Sequence, residues 1–330
     1  MEKVQLENTD FEGLNDVYIL RHGGGTTLID AGMNTPEMYE QLTAGLRAAG
    51  TSVEEVDRVL LTHWHPDHVG LAGDVKRESG ATVYIHEEDA PLVREPAWRQ
   101  MEPLYTRLFE EWGMPAAKRE RLEERLDLED DVLSGECIDV ETVVDGDEFE
   151  VGEMTLEVVH APGHTAGLSG FAFDGDEGRE LFSGDALLPV YTPNVGGADI
   201  RVEHPLERYL ETLVRLIGDD YARAWPGHRD VIEDPSGRAR EIIAHHRDRT
   251  RKILDILGEE PTDTWTVSER LFGELDDIHI LHGPGEAYAH LEHLTRYDAV
   301  ERTPEGYVRR EDATFDPDEA FPAVDAPAAE

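Results

Sequence analysis

Apolar residues along this chain fall into short runs whose period changes several times. Asp16–Leu20 and Thr26–Asp30 are β-type runs joined by Arg21–His22–Gly23–Gly24–Gly25, a pattern that predicts a hairpin. Thr35–Pro36 opens and Gly50 closes a helical pattern over 35–49. Val56–Thr62 predicts a strand that runs straight into His63, followed by a helix over Val69–Ser79 and a strand over Ala81–His86. Residues 87–135 break the alternation. They are mostly charged and helix-prone, with Trp98, Tyr105, Phe109 and Trp112 at near-helical spacing, so they predict a helical insertion. Helix packing is the first reading of that aromatic stripe, and a lid over the active site is the alternative. Strands are predicted again at 137–144, 148–151, 154–160, 168–173 and 179–184, with Cys137 buried in the first of them. A helix over 205–217 precedes a short strand ending at Trp225. Strands alternating with helices place the chain in the α/β class.

The pattern shifts at Pro235. A long amphipathic helix is predicted over 236–257, then shorter ones near 266–272 and 284–300, then a β-type piece at Tyr307–Arg309. Residues 311–330 are acidic and rich in Ala and Pro, which predicts a disordered tail. The expected organisation is a catalytic domain over 1–234, a small helical unit over 235–310, and that tail.

Composition narrows the setting. The chain has one cysteine in 330 residues, so no intrachain disulfide forms, and a cytoplasmic location is the default. No apolar run approaches the roughly 20 residues a membrane span needs. Asp and Glu number 73 against 30 Lys and Arg, a formal net charge of −43, and only four of the basic residues are lysine. The acids are spread along the whole sequence rather than gathered in a block. That distribution fits adaptation to a salt-rich cytoplasm, where screening removes self-repulsion, better than it fits a basic partner. Nucleic-acid binding would need a basic track. Arg238, Arg240, Arg247, Arg249 and Arg251 cluster on the predicted 236–257 helix, but Glu241 and Asp248 are interspersed.

The chemistry concentrates in His63–Trp64–His65–Pro66–Asp67–His68, directly after an apolar strand. Two residues apart at an extended strand end, His63 and His65 point to one side and can reach one ion. Asp67 and His68 follow at the turn into a helix and can face a second position. Imidazole and carboxylate suit zinc and related first-row metals. Three further segments each place one ligand-type residue just past a strand, beside a glycine: Pro162–Gly163–His164, Ser183–Gly184–Asp185 and Pro226–Gly227–His228. Thr165 and Ser183 flank ligands and are candidates either for hydrogen bonds to them or for turn capping. His245, His246, His290 and His293 lie on predicted helices and read as surface or packing residues.

In this order, His-x-His-x-Asp-His followed by His, Asp and His resembles the metallo-β-lactamase superfamily over roughly residues 12–233. The resemblance implies a four-layer αβ/βα sandwich with two divalent ions, zinc above all, at one edge. It implies that His63, His65 and His164 hold one ion, that Asp67, His68 and His228 hold the other, and that Asp185 bridges them. Aspartate at the bridging position, where β-lactamases proper commonly carry Cys, is similar to glyoxalase II and to lactamase-like endoribonucleases. In the latter a small winged-helix-like domain follows the core. Ile243, His246, Arg247, Arg251 and Leu291–Glu292–His293–Leu294 are similar to that domain.

The expected reaction is hydrolysis by a metal-activated water, whose pKa falls from about 15.7 towards 7, with Asp67 orienting it and moving its proton. A small-molecule thioester or ester is the leading substrate, and single-stranded RNA the alternative. Asn194, Gly196, Gly197 and Arg201, in the Gly-containing segment 192–201 after Asp185, are candidate substrate contacts. A homodimer built through the C-terminal unit is a possible assembly.

Overall fold

The computed structural model describes residues 1–8, 13–23, 25–128, 133–310 and 316–323. Gly24 of the expected hairpin connection, and 311–315 and 324–330 of the expected tail, lie outside them. The chain divides into two compact units, each assembled from separate stretches. The first comprises Met1–Gln100, Asp127–Pro193 and Asp220–Pro235, and the second Met101–Leu126, Asn194–Asp219 and Ser236–Glu330.

In the first unit, β1 (Glu2–Leu6), β2 (Asn15–His22), β3 (Gly25–Ile29), β4 (Val56–Leu60), β5 (Thr82–His86) and β6 (Glu141–Val143) form one sheet in chain order. The first three are antiparallel, and β3 to β6 are parallel. The change follows from the connections, because parallel neighbours need a crossover. Helix α1 (Pro36–Ala48) links β3 to β4, while α2 (Pro66–Val69) and α3 (Ala72–Ser79) link β4 to β5. Thr35 caps α1, its Oγ1 accepting from Met38 N, and Pro36 stands where no N–H is needed. The buried residues Met38, Leu42 and Leu46 recur every four positions, and α1 packs on β1. The helix expected over Val69–Ser79 is thus two helices, the first started by Pro66.

The second sheet has the order β11-β10-β9-β8-β7, from β7 (Glu148–Val151), β8 (Met154–His160), β9 (Ser169–Gly175), β10 (Gly178–Gly184) and β11 (Arg223–Pro226). β7 to β10 form an antiparallel meander, and β11 runs parallel to β10. The two sheets share a core. Tyr18, Leu20, Ile29 and Leu60 from one meet Leu156, Val158, Phe171 and Phe182 from the other. Alternate residues of β8 supply Leu156 and Val158, as a strand with one buried face requires. Burying each such side chain contributes about 1.5–3 kcal/mol. This is the mixed α/β sandwich expected from the sequence.

The second unit holds most of α5 (Ala97–Glu111) and α6 (Ala116–Leu128), with α7 (Pro205–Asp219), α8 (Pro235–Ile256), α9 (Thr264–Phe272) and α10 (His279–Arg296). A two-stranded antiparallel sheet, β12 (Val300–Thr303) and β13 (Gly306–Arg309), completes it. Ile253, Val267, Leu291, Leu294, Val300 and Tyr307 are among its core residues. The aromatic residues of the insertion pack here: Tyr105, Phe109 and Trp112 are buried, and the Trp112 ring lies 5.7 Å from that of Tyr288. Lys118 and Arg121 pair with Asp276. The middle of the insertion, Met101–Leu126, therefore belongs to one unit with the C-terminal elements, a grouping invisible to a linear division at Pro235, while its two ends belong to the first unit.

Two expectations need correction. Cys137 is exposed, because of the stretch 137–144 only Glu141–Val143 pairs with a strand. Part of the expected tail is packed: Phe321 is buried 5.3 Å from the His293 ring, and Ala320 O accepts from His293 Nε2 at 2.8 Å. Among the described residues, no helix is long and apolar enough to cross a membrane.

Candidate metal centre

All seven ligand-type residues singled out in the sequence come together in the first unit. Each leaves the end of a strand. His63 and His65 follow β4, and Pro66 begins α2 so that Asp67 and His68 fall in its first turn. His164 follows β8, Asp185 follows β10, and His228 follows β11. Gly184, at φ +48°, lets the end of β10 close on β4, since a Cβ there would stand 2.7 Å from that of Thr62. Gly227 is required for space. A Cβ on it would lie 2.5 Å from Asp185 Oδ1 and 2.7 Å from His68 Cε1.

The donors form two groups. His65 Nδ1 lies 3.0 Å from His63 Nε2 and 3.1 Å from His164 Nε2. Asp67 Oδ2 lies 3.3 Å from His228 Nε2 and 3.7 Å from His68 Nε2. Asp185 touches both groups: Oδ2 is 3.9 Å from His164 Nε2 and 3.5 Å from His228 Nε2, while Oδ1 is 3.6 Å from His68 Nε2. The residues are buried apart from the half-buried His65.

The rings are aimed by their other nitrogens. His68 Nδ1 donates to Asp30 Oδ2 at 2.8 Å, and His228 Nδ1 donates to Gly13 O at 3.1 Å. Thr62 Oγ1 donates to Asp30 Oδ2 at 2.8 Å, so it accepts from His63 Nδ1 at 3.0 Å. In the neutral form of each of these rings the Nε2 lone pair therefore faces the cluster, the arrangement metal-binding histidines adopt. Asp30 also accepts from Thr62 N at 2.7 Å, fixing the strand end that carries His63. Asn15 Nδ2 donates to Asp67 Oδ2 at 3.1 Å, and Asn8 Nδ2 donates to Asn15 Oδ1 at 2.7 Å, which sets the orientation of that amide.

The donor set fits divalent cations on its own evidence. His68 Nε2, His228 Nε2 and Asp185 Oδ1 are buried without a hydrogen-bond partner among the described residues, although such atoms are almost always satisfied. Charge supports the same reading. Burial, aided by neighbouring imidazoles, holds His63 well below the usual histidine range, so it is neutral. Burial would also depress His68, but the carboxylates of Asp67, Asp185 and Asp30 override it and hold the ring at about 9. Burial opposes ionisation of Asp67 and Asp185, yet His68 and His228 keep both below the ordinary carboxylate range. Without metal, protons on imidazole balance the carboxylates; cations can take their place.

Asp30, Asn15 and Asp89 were not anticipated. Asp30 closes a predicted strand as a lone carboxylate before Ala31–Gly32, the one signal available for it. Asp89 is fully buried, accepting from Thr165 Oγ1 at 2.8 Å and Gly167 N at 2.9 Å, and so anchors the turn after His164. Thr165 thus serves the turn. Ser183 Oγ donates to the carbonyls of Gly184 and Leu187 at 3.4 Å, within its own turn.

Asn194, Gly196, Gly197 and Arg201 belong to the second unit. Asn194 Oδ1 accepts from Gly197 N and Ala198 N, and its amide donates to His282 O and Glu286 Oε2. A Cβ on Gly197 would lie 2.7 Å from His282 Cα, and Arg201 pairs with buried Asp199. These side chains shape the 192–201 segment against α10.

Strand-end histidines and aspartates gathered in two groups on a two-sheet sandwich define a metal-dependent hydrolase. The chain belongs to the metallo-beta-lactamase superfamily, whose family model matches residues 11–228. A metallo-beta-lactamase family protein of Thermus thermophilus has a similar structure, with TM-score 0.80 and 30% identity over 94% of this chain and 98% of that one. The probable metallo-hydrolase YqjP of Bacillus subtilis is 26% identical over 86% of this chain and 88% of its own length. A beta-lactamase-like protein 2 homolog of Drosophila melanogaster is 29% identical over 76% and 70%.

Proposed function

We propose that the chain is a binuclear hydrolase of small-molecule thioesters or esters, similar to glyoxalase II, with zinc as its metal. In this reading His63, His65 and His164 would hold one ion and Asp67, His68 and His228 the other, with Asp185 the residue shared between them. The observation that carries it is the contact of Asp185 with both donor groups. When bound, such ions supply a water acidic enough to attack near neutral pH and a counter-charge for the developing oxyanion. Asp67, whose Oδ2 accepts from Asn15 Nδ2, would be the residue that orients such a water and takes up its proton.

Charge favours a small substrate over RNA. The net charge is −43, and three arginines of the α8 cluster are matched by acids: Arg238 by Glu241, Arg249 by Glu286 and Arg251 by Asp248. A nuclease needs unbalanced cations along a phosphate track. The same acidity fits a salt-adapted protein, so the assay belongs in high salt. Metal-loaded protein is given an acyl thioester and a single-stranded RNA side by side, with Asp67→Asn as control. Thioester turnover lost in Asp67→Asn is the expected result. RNA cleavage alone, lost in the same variant, would overturn the substrate assignment.

A further inference from the structure

A second group of buried imidazoles and a carboxylate lies within the second unit. His246, Arg249 and Thr250 come from α8, and Glu286 and His290 from α10, where four residues bring them onto one face. His246 Nδ1 lies 3.2 Å from His290 Nε2. Glu286 Oε1 lies 3.6 Å from His246 Nδ1 and 3.7 Å from His290 Nε2. A tetrahedral ion bound at about 2.0–2.1 Å sets its donors about 3.3–3.5 Å apart, and all three separations come within about 0.2 Å of that range, a shift small enough for one shared cation. The His246–His290 spacing also repeats that of the catalytic cluster, where imidazole nitrogens stand 3.0 and 3.1 Å apart.

The surroundings are those of a built site. His246 and His290 are fully buried and Glu286 is 4% exposed. His290 Nδ1 is 2.7 Å from Thr250 Oγ1, which fixes that ring from its far side as ligand histidines are fixed. Glu286 Oε2 accepts from Asn194 Nδ2 at 3.1 Å. We infer that His246, Glu286 and His290 form a binding site for one divalent transition-metal ion of the zinc type, additional to the seven-residue cluster. An ion held there ties α8 to α10 and stabilises the unit by mass action.

Arg249 is the rival for this carboxylate. Its guanidinium contacts Glu286 Oε1, the oxygen nearest both imidazoles, and its side chain is 17% exposed. The ion and the guanidinium compete for one negative charge, and that competition separates a metal site from a plain buried ion pair. Removing an imidazole must lose metal, whereas removing Arg249 must gain affinity.

The test uses the full chain, loaded with zinc in high salt and freed of excess by dialysis. Zinc per chain is read by plasma mass spectrometry, with circular dichroism as the check on folding. His246→Gln and His290→Gln are each expected to hold one equivalent less than the parent. Arg249→Gln is expected to hold zinc about tenfold more tightly against a chromophoric chelator. In a chain carrying His63→Ala, His65→Ala, His68→Ala and His228→Ala, which leaves neither donor group of the first cluster more than one imidazole, one tightly held equivalent should survive at the second cluster and vanish on adding His290→Gln. Equal zinc in the parent and the imidazole variants, or unchanged affinity in Arg249→Gln, overturns the inference. None of these readouts depends on hydrolytic activity, so failure of the substrate assignment leaves them intact.

Discussion

Replacing Asp30 by asparagine changes one atom of the carboxylate and reverses its hydrogen-bond logic. Asp30 Oδ2 accepts from Thr62 Oγ1 and from His68 Nδ1, each at 2.8 Å, while Oδ1 accepts from Thr62 N at 2.7 Å. An asparagine that keeps its oxygen at Oδ1 turns an NH2 toward two groups that were donating to it. The Thr62 hydroxyl can rotate away, but His68 can keep a hydrogen bond only by carrying its proton on Nε2. That nitrogen faces Asp67 and Asp185 at 3.7 and 3.6 Å. Two hydrogen bonds to a buried charge, at about 1.5–3 kcal/mol each, are lost, so the metal-free protein should be destabilised by about 3–6 kcal/mol. Loss of such support for a ligand lowers metal affinity about 10–100-fold. Backbone strain is not a confounder, because Asp30 sits at φ +60°, where asparagine is equally tolerated. Urea unfolding at constant high salt measures the first quantity and zinc competition with a chromophoric chelator the second. An Asp30→Asn protein that retains zinc within twofold of the parent would refute the claim that Asp30 sets the His68 tautomer.

Further outcomes follow from the same geometry. Gly227→Ala sets a methyl against Asp185 and His68, so it should lower retained zinc and cost about 1–3 kcal/mol in urea unfolding; undiminished zinc would count against the close approach. Burial, only partly offset by Lys3 and Gln5, raises Asp16 from 3.8 to about 6. Its ionised form is therefore disfavoured in the folded state, and the contribution of Asp16 to stability should rise as pH falls from about 7 towards 4, against the opposite trend of the buried neutral histidines such as His63. The gap corresponds to about 3 kcal/mol, which Asp16→Asn should remove from the pH profile of the metal-free protein. The net charge of −43 predicts a melting temperature that climbs between about 0.1 and 1 M salt, as the screening length falls from about 10 to 3 Å. Full stability in dilute buffer would contradict the salt-adapted reading.

The gathering of the candidate metal centre is largely legible in the sequence because its donor residues sit in short local motifs at strand ends. Four of them fall within six residues, and the other three each stand beside a turn glycine. Asp30 and Asn15 were not legible, because their partners, His68 and Asp67, are 38 and 52 positions away and meet them only once the sheet is formed. Strand β1 escaped because its polar, mostly exposed residues carry little apolar signal. Cys137 misled through apolar neighbours that belong to no ladder. Helical histidines were equally opaque: His246 and His290 look like any helix-face residues until α8 and α10 supply each other's partners.

Three of the imidazoles of the candidate metal centre, those of His68, His63 and His228, are held by Asp30, Thr62 and Gly13, all groups of the protein itself. Their aim does not await an ion. A site preset in this way can load, lose and exchange cations while the chain stays folded. Histidine and carboxylate donors accept several first-row metals, and affinity alone ranks them in an order the protein does not control. Which metal the enzyme carries is then a record of what the cell supplied, and the same folded chain can differ in activity between growth conditions.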